Sequence, residues 1–329
     1  MRKGNISIFV PHLGCPCHCS FCNQHVISGK TEIPDANTVR DSVEKAFEKD
    51  GFSYEIAFFG GSFTAIDRNY MISLLEAASP YVKSGRADGI RISTRPDFID
   101  EEVLLLLKSY GVTSIELGAQ SMDDEVLKLN SRGHTAQDVV NASEKIHSFG
   151  FELGLQMMTG LYSDTDEEAL ETAKKLIALS PDTVRIYPTV VLKGTRLAEL
   201  YEAGEYPAQT VEEAVSLCAK LVPMFENNGI KIIRLGLHAS EDIRQNLVAG
   251  AYHENLGELV RSRLMLNRIT EKPADDYTVF VNPKAVSRLV GIKKANKTAW
   301  QALGYRIRIK TDATLTGDGM RIENGIKIT

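Results

Sequence analysis

Residues 6–24 read ISIFVPHLGCPCHCSFCNQ, a short apolar run followed at once by a cluster of cysteines. The run Ile6–Val10 predicts a buried strand. Thiols this close together would close only very small disulfide loops, and a chain of 329 residues can build a core without such cross-links. The cluster therefore indicates a metal site just after the first strand. The chain has five cysteines, of which the first four form the cluster: Cys15, Cys17, Cys19, Cys22 and Cys218.

Composition and charge are those of an ordinary soluble globular protein. The chain has 38 Lys and Arg against 43 Asp and Glu, a formal net charge of −5, with 43% apolar and 25% charged residues. No apolar run approaches the roughly 18 residues of a membrane span. The start of the chain is charged, but its apolar stretch is too short for a secretory signal. We therefore expect a cytoplasmic protein with no membrane segment.

Short β-rich runs alternate with helical stretches from the first residues to about residue 240. This alternation implies parallel strands joined by crossover helices, in an open sheet or a barrel. Seven runs are predicted strands: Ile6–Val10, Tyr54–Phe59, Ile90–Thr94, Ser114–Gly118, Glu152–Met157, Thr183–Tyr187 and Lys231–Leu235. In both architectures ligands bind at the C-terminal ends of the strands. Those ends carry the unusual residues of this chain: Gly60–Thr64, Thr94–Pro96, Gln120–Ser121, Thr159–Leu161 and Tyr187–Thr189.

The cysteine spacing distinguishes two kinds of metal site. Cys15, Cys19 and Cys22 form a C-x3-C-x2-C pattern, which can place three thiolates on three corners of a cubane iron–sulfur cluster and leave the fourth iron open. The alternative is a closed zinc site that uses all four clustered cysteines, with His12, His18 or His25 as further ligands. Structural zinc usually draws ligand pairs from separated segments, so the iron–sulfur cluster is favoured.

The remaining two cysteines have simpler interpretations. We interpret Cys17 as a spare thiol in the loop that does not bind the metal. The alternative is that Cys17 replaces one of the other cysteines as a ligand. Cys218 lies on an apolar helical stripe with Leu217 and Leu221 and is expected to be a buried, inert thiol.

The cysteine pattern and its position after the first strand resemble the radical S-adenosylmethionine (SAM) enzymes, and the resemblance covers about residues 5–270. It implies a 4Fe-4S cluster whose open iron binds the amino and carboxylate groups of SAM. Electron transfer from that cluster then cleaves SAM into methionine and a 5′-deoxyadenosyl radical. The implied fold is α/β: a partial TIM-like (β/α) barrel over residues 1–250, with a small C-terminal α+β extension over residues 251–329.

Five further sequence motifs resemble those of the branch that contains the Elongator catalytic subunit and, more distantly, those of oxygen-independent coproporphyrinogen oxidase. They are Phe58–Thr64, Ser93–Asp97, Glu116–Ser121, Asn130–Thr135 and Arg185–Thr195. By this resemblance Gln120 and Arg132 hold the SAM carboxylate, which suits the fork of an arginine. The alternative roles are a surface salt bridge for Arg132 and strand-end hydrogen bonding for Gln156. The other implied cofactor contacts are Phe21 near adenine, Gly60, Gly61 and Ser62 near the methionyl amine, Thr94 at the end of strand three, and Gln156 near the ribose.

Two departures from that branch are visible. Ser93 stands where relatives often carry a carboxylate, which puts an amine contact from that side in doubt. The chain also leaves no room for the acetyltransferase domain of Elongator catalytic subunits, so acetyl-CoA chemistry is not expected.

The segment Tyr277–Thr311 holds eight Lys and Arg and no acidic residue. Its pattern predicts a strand, a helix, a turn at Gly291–Lys294, a second helix and a strand. This order resembles the core of a KH RNA-binding module, although the turn ends in Lys294 where that module has glycine. Lys293, Lys294 and Lys297 are the predicted phosphate contacts. The alternative is a solvated basic face that balances an acidic barrel.

The leading functional hypothesis is a radical SAM enzyme acting on RNA, with tRNA as the expected substrate and ferredoxin or flavodoxin as electron donor. Arg185, Tyr187, Lys193 and Arg234 are candidates for orienting the substrate, with barrel packing or salt bridges as the alternative roles. A second hypothesis is a radical SAM enzyme on a small-molecule or porphyrin-like substrate. A third is a non-enzymatic, redox-sensing RNA-binding protein.

Overall fold

The computed structural model describes residues 2–11, 15, 18–23, 26–27, 32–49 and 51–325. Cys17, His12 and His25, which the sequence analysis considered as ligands, lie outside the described residues. The chain forms two compact units, Met1–Thr210 with Met224–Tyr252, and Val211–Pro223 with His253–Thr329. The division at residue 250 stays a prediction. In the described part of the chain, no helix is both long and apolar enough to cross a bilayer.

The first unit is built on a parallel sheet of seven strands, which curls into a half-barrel in the order β1-β2-β3-β4-β5-β6-β8. All seven predicted strands are confirmed. The strands of this unit are β1 (Arg2–Val10), β2 (Phe52–Gly60), β3 (Gly89–Thr94), β4 (Val112–Gln120), β5 (Glu152–Thr159), β6 (Thr183–Pro188), β7 (Val190–Leu192), β8 (Lys231–Leu235) and β9 (Leu247–Gly250). The short strands β7 and β9 pair with each other, antiparallel.

Helices follow most strands of the sheet, and polar side chains begin many of them. They are α1 (Ala36–Phe47), α2 (Arg68–Lys83), α3 (Glu101–Ser109), α4 (Asp124–Leu129), α5 (Ala136–Ser148), α6 (Asp166–Ala178), α7 (Arg196–Glu202), α8 (Val211–Asn227) and α9 (Glu241–Asn246). Asp35, Thr135 and Thr165 form capping boxes at the starts of α1, α5 and α6. Each box satisfies backbone N–H groups that the first helical turn leaves unpaired.

The two faces of the curled sheet differ in chemistry. Alternate residues of the central strands, such as Ile92 on β3, Leu117 on β4 and Leu155 on β5, are apolar and fully or almost fully buried. The residues between them are polar or small, among them Glu116 on β4 and Gln156 on β5. Parallel strands usually bury both faces in apolar contacts. A polar inner face therefore marks the inside of this half-barrel as the place where function resides.

Glu116 organises that inner face. Its carboxylate, 1% exposed, accepts from Nε and Nη2 of Arg185 at 2.7 and 2.9 Å and from Nη1 of Arg91 at 3.2 Å. Gln156 Nε2 donates to it at 3.3 Å. Gly154 makes room for the carboxylate, since a Cβ there would lie 2.7 Å from Cγ of Glu116. One buried anion thus fixes side chains from three neighbouring strands.

The second unit has a three-stranded sheet in the order β11-β10-β12, with β10 parallel to β11 and antiparallel to β12. Its elements are α10 (Leu256–Thr270), β10 (Asp276–Val281), a 3-10 turn (Pro283–Ala285), α11 (Val286–Val290), a 3-10 turn (Ile292–Lys294), α12 (Ala295–Ala302), β11 (Arg306–Thr311) and β12 (Met320–Asn324). The predicted strand–helix–turn–helix–strand order is confirmed. Sequence analysis missed β12, in which only Met320 and Ile322 are apolar.

The core of the second unit follows the alternation of β10. Tyr277, Val279 and Val281 point to one side of the sheet and pack in one cluster with Leu289 of α11 and Trp300 of α12. The sheet is therefore covered by helices on one face, as in other small α+β folds.

Glu116→Gln tests the buried carboxylate. We expect it to lower the free energy of unfolding by about 3 kcal/mol, because it leaves the buried guanidinium of Arg185 without its carboxylate partner, whereas Arg91 keeps Glu55 and Glu152. Urea denaturation measures the change. The control is Glu44→Gln, which breaks an exposed ion pair with Arg86 and should leave the transition nearly unchanged. Equal losses in the two variants would contradict the organising role of Glu116.

Candidate active site

A cavity of about 430 Å³ opens at the C-terminal ends of the parallel strands in the first unit. This volume is in the range of small-ligand sites. The cavity is lined by every residue that the sequence analysis assigned to the cluster and to SAM, and by three of the four substrate candidates. These residues are Cys15, Cys19, Cys22, Phe21, Gly60, Gly61, Ser62, Thr94, Gln120, Arg132, Gln156, Arg185, Tyr187 and Arg234.

The three cysteines of the C-x3-C-x2-C pattern are unpaired thiols at the wall of this cavity. Burial raises the pKa of Cys15, and burial together with the nearby Cys19 and Cys15 thiols raises the pKa of Cys22 to about 12. Three adjacent thiolates in a partly desolvated site need a compensating positive centre, because each disfavours the charge of the others. Within the described ranges, no three His, Cys, Asp or Glu side chains are grouped to hold a single metal ion.

Asn130 anchors the loop between the cysteines. Ser20, which lies between Cys19 and Cys22, donates through its hydroxyl to Asn130 Oδ1 at 2.8 Å and through its backbone N–H to the Asn130 carbonyl at 3.1 Å. Asn130 is fully buried, and its amide donates to the carbonyls of Val126 and Tyr162. The loop is therefore fixed to the segment after β4 from both its backbone and its side chain.

Arg132 connects the cysteines to the end of β4. Its Nη1 donates to Sγ of Cys19 at 3.3 Å, and its Nη2 donates to the carbonyl of Gly118 at 2.5 Å. Nε of Arg132 and Oε1 of Gln120 are buried and have no hydrogen-bond partner in the described part of the chain. Buried polar atoms of this kind are rare without a ligand or water. The pair therefore fits a polar ligand, and the guanidinium suits a carboxylate.

His134 supports the backbone at Gln120. Gln120 has a left-handed backbone (φ +66°) at an irregularity in the pairing of β4 with β5. Nε2 of His134 donates to the carbonyl of Ala119 at 3.1 Å, one residue before Gln120. Burial, followed by the charge of Arg132, lowers the pKa of His134 to about 4, so the imidazole is neutral at pH 7. It is held as a positioning group.

The glycine-rich turn after β2 lies against the end of β1. Gly60 has φ +117°, and a Cβ there would lie 2.4 Å from the carbonyl oxygen of Val10. The N–H of Gly61 donates to that oxygen at 2.9 Å. The hydroxyls of Ser62 and Thr94 are 2.8 Å apart. Ser62 and Thr94 therefore hold the turn against the end of β3.

One cavity thus combines three clustered thiols, two buried polar atoms that lack a hydrogen-bond partner within the described residues, and a glycine turn packed closely against β1. The sequence profile of the radical SAM superfamily matches residues 9–176, and that of the radical SAM C-terminal domain matches residues 181–265. The chain belongs to the radical SAM superfamily. Membership makes it an enzyme whose family uses SAM and an iron–sulfur cluster.

Named relatives confirm the resemblance to the Elongator branch. The chain is 29% identical to human Elongator complex protein 3 over 231 residues, which are 64% of this chain and 41% of the relative. It is 30% identical to a tRNA uridine(34) acetyltransferase of Methanocaldococcus infernus over 178 residues, 53% of this chain and 33% of the relative. The match spans less than two thirds of each relative's length.

Solved structures share the fold. Elp3 from Methanocaldococcus infernus, with an N-terminal deletion, has a TM-score of 0.65 at 22% identity, and the match covers 83% of this chain and 65% of that one. Coproporphyrinogen III oxidase from Escherichia coli has a TM-score of 0.51 at 17% identity, covering 80% of this chain and 58% of that one. The half-barrel of this radical SAM protein is thus the fold of both.

The far wall of the radical SAM cavity carries the substrate candidates. The guanidinium of Arg185, already bonded to Glu116, lies 5.1 Å from the ring centre of Phe59. Tyr187 lies beside it, and burial raises the pKa of its hydroxyl. Nε of Arg234 donates to the carbonyl of Gly236 at 3.0 Å. Arg185, Tyr187 and Arg234 all line the cavity, together with Phe59.

Lys193 does not reach the cavity. Its side chain is exposed, and Nζ donates to the carbonyl of Gln245 at 3.0 Å. Its own carbonyl accepts from the amide of Asn23 at 3.0 Å. We therefore leave Lys193 out of the substrate site and assign it to the support of this loop.

Part of the positive charge of the basic segment, Tyr277–Thr311, is neutralised by acidic residues outside it. Arg288 pairs with Glu258 and Asp318, and Arg306 pairs with Asp276, all acids outside the segment. Five lysines of the segment are exposed and have no ion pair within the described residues: Lys284, Lys293, Lys294, Lys297 and Lys310. Three of them, Lys293, Lys294 and Lys297, lie at or just after the turn between α11 and α12.

The structure adds three residues that the sequence analysis did not assign: Glu116, Asn130 and His134. All three lie in sequence motifs quoted for the family resemblance. The motifs mark these residues, but a motif alone does not show which residue positions a cofactor-binding side chain. Their partners are 12 or more residues away along the chain, except for the contact of Asn130 with Val126.

Gly60→Ala tests the close approach of the turn to β1. We expect it to lower the free energy of unfolding by about 3 kcal/mol, because a methyl group would both strain the backbone and overlap the Val10 carbonyl. Gly85→Ala is the control, since Gly85 also has positive φ (+75°) but has nothing within 4 Å of a Cβ; its loss should be about 1 kcal/mol. Urea denaturation measures both changes. If the two variants lose equal free energy of unfolding, the turn shifts to accept the methyl group and the close contact with Val10 is not essential.

Proposed function

We propose that this chain cleaves SAM reductively at a 4Fe-4S cluster held by Cys15, Cys19 and Cys22, and uses the resulting radical to modify RNA, with tRNA as the substrate. The observation that carries the first half is the bond of Arg132 to the Cys19 thiol. It puts a carboxylate-binding guanidinium directly beside a cluster ligand. When bound, the cluster and SAM supply a 5′-deoxyadenosyl radical that removes one hydrogen atom from the substrate.

The cofactor-binding roles follow from the atoms that the fold leaves available. Nε of Arg132 and Oε1 of Gln120 are two buried atoms of the cavity that need a partner, and a carboxylate with its neighbouring ammonium group satisfies both. Gly60 and Gly61 let the ligand approach the backbone because no Cβ intervenes. Gln156 and Phe21 complete the cofactor side of the cavity as ribose and adenine contacts.

The protein's own contribution to the reaction is confinement. Gln156 and Arg185 line the cavity and both bond the buried carboxylate of Glu116, which fixes this part of the wall. A radical must be kept close to one carbon–hydrogen bond and away from others. Rigid walls serve that purpose better than mobile ones.

RNA as the substrate is supported by the second unit. Lys293, Lys294 and Lys297 are exposed around one turn, and the backbones of Lys293 and Lys294 are left-handed (φ +50° and +66°). Lys294 thus keeps a conformation that glycine adopts readily, at the position where the KH pattern has glycine. The tRNA-directed activity named for the relative in Methanocaldococcus infernus points to the same class of substrate. A cytoplasmic location and a ferredoxin or flavodoxin as electron donor belong to this proposal.

Cysteine variants test the cluster. After anaerobic reconstitution with iron and sulfide, Cys15→Ala, Cys19→Ala and Cys22→Ala should each lose most of the bound iron, because the cubane needs three thiolates. Cys17→Ala and Cys218→Ala should keep about four irons per chain and should form 5′-deoxyadenosine from SAM. Iron analysis and product chromatography give both readouts. Stoichiometric zinc without iron in the wild type would overturn the proposed chemistry.

Lysine variants test the RNA surface. Replacing Lys293, Lys294 and Lys297 together by alanine should weaken single-stranded RNA binding at least tenfold. The slope of log affinity against log salt should become less steep by about 2, because each phosphate contact contributes roughly 0.7. Fluorescence anisotropy at several salt concentrations measures both. The matched control replaces Lys45, Lys49 and Lys83, exposed lysines of the first unit, and should change neither quantity.

Nucleoside analysis decides the substrate class. Mass spectrometry of RNA from a deletion strain should show one modified nucleoside missing, and the wild-type gene should restore it. An unchanged profile, with SAM cleavage intact, would move the function to a small-molecule or porphyrin-like substrate. Absence of 5′-deoxyadenosine from a cluster-loaded chain would favour the redox-sensing RNA-binding protein.

A further inference from the structure

The charges of the cavity do not balance among the described residues. Its lining contains four arginines and no Asp or Glu in the part of the chain that the structure describes. Arg95 pairs with Asp97 at 2.7 Å, and Arg185 pairs with Glu116. Arg132 and Arg234 have no carboxylate partner within the described residues. Arg132 lies beside the cysteine thiols and bonds Cys19, so Arg234 is the arginine of this lining that has no acidic partner among the described residues.

Arg234 also has an unfavourable neighbour. It lies on β8 directly opposite Arg185 on β6, in the register of the parallel sheet. Like charges at opposed positions of neighbouring strands destabilise a sheet. Glu116 offsets the charge of Arg185 with both of its oxygens, but Arg234 bonds only the neutral carbonyl of Gly236. A cation kept in such a place needs an anion that comes from outside the chain.

SAM does not provide that anion. Its one carboxylate is accompanied by an ammonium and a sulfonium group, so its net charge is positive. Arg132, which is bonded to Gly118 on β4 and to Cys19, is placed to take this carboxylate. The strand of Arg234 lies three spacings away from β4, about 14 Å along the sheet at ~4.8 Å per strand. A SAM carboxylate held by Arg132 at the end of β4 therefore leaves Arg234 to another anion.

We propose that Arg234 binds a second anionic group, a carboxylate or phosphate of the substrate, on the wall of the cavity formed by β6 and β8. His238 and Tyr187 line the cavity with it and can supply further hydrogen bonds. Burial, with the charge of Arg234, lowers the pKa of His238, so the imidazole is neutral and leaves Arg234 as the cation of this subsite. The inference rests on the proposed function in taking this cavity as the reaction site.

Two substrate sources share this chemistry. A phosphate would come from the backbone of a nucleotide beside the modified one, and a carboxylate would come from a small acidic substrate. The two anions differ in geometry, since phosphate offers three oxygens to a guanidinium and its neighbours, whereas carboxylate offers two in a plane. Binding of inorganic phosphate and of acetate therefore separates the sources.

The test uses the anaerobically reconstituted chain saturated with SAM. Calorimetric titration with sodium phosphate and with sodium acetate, against a chloride background, should show saturable binding of at least one anion. Arg234→Gln should weaken that binding at least tenfold, and Arg234→Lys should weaken it less. The affinity for SAM should stay within twofold of the wild type in both variants. Arg196→Gln, which removes an exposed arginine of α7 paired with Glu199, should change nothing.

Stability gives a second readout that a purely structural role would not produce. Both variants of Arg234 lose the bond from Nε to the Gly236 carbonyl, but only Arg234→Gln loses the charge. In anion-free buffer the Gln variant should unfold at a higher temperature than the Lys variant, and the preferred anion should reverse that order.

The outcomes separate this inference from the proposed function. A chain that holds its cluster and cleaves SAM but binds neither anion, or binds them equally well after Arg234→Gln, overturns the anion subsite alone. A chain without an iron–sulfur cluster overturns the proposed function itself. Tighter phosphate supports the subsite with a nucleotide source, and tighter acetate supports it with a carboxylate source.

Discussion

The half-barrel depends on how one buried carboxylate is neutralised. Glu116 is almost fully desolvated, and an isolated charge in such a place would cost several kcal/mol. Two guanidinium groups and one amide surround it, so that Arg91 on β3, Gln156 on β5 and Arg185 on β6 each take a fixed direction. The positions of the cavity walls follow from this arrangement, because the side chains that bond Glu116 are the same ones that shape the inner face.

A second constraint operates at the cysteines that line the cavity, where three thiols must be held close together. Asn130 and Arg132 perform this task from one segment after β4. Asn130 bonds Ser20 through its side chain and its backbone, and Arg132 bonds the thiol of Cys19. Because the segment is itself tied to the β4 irregularity through His134, the cysteine loop and the residues facing SAM are positioned by the same strand end.

The seven strands of the half-barrel and many of the cavity residues could be predicted from the sequence, for a physical reason, whereas β7, β9 and β12 could not. Segments such as Ile90–Thr94 and Thr183–Tyr187 are recognisable because their alternate apolar residues are buried on one face of the sheet, and parallel strands bring their C-terminal ends to the same edge. Pairings between distant side chains carry no such pattern. Glu116 and Arg185 are 69 residues apart, and the acids that neutralise Arg288 lie outside the basic segment. Lys193 follows a strand but points to solvent, which periodicity alone does not reveal.

The two arginines of β6 and β8 differ in how their charge is balanced, and we relate this difference to two roles: Arg185 stabilises the fold, and Arg234 binds an anion. The ion pair of Arg185 with Glu116 makes the cavity wall rigid, and it leaves the charge of Arg185 unavailable to a ligand. One strand further, Arg234 keeps its charge at a cost in stability, since a neighbouring arginine faces it in register. Sites that bind charged ligands commonly retain such unfavourable terms, because a counter-ion built into the protein would compete with the ligand. Because Arg234 and the cysteines belong to different elements of the same cavity, an anion bound at Arg234 would set the orientation of the substrate relative to the thiols.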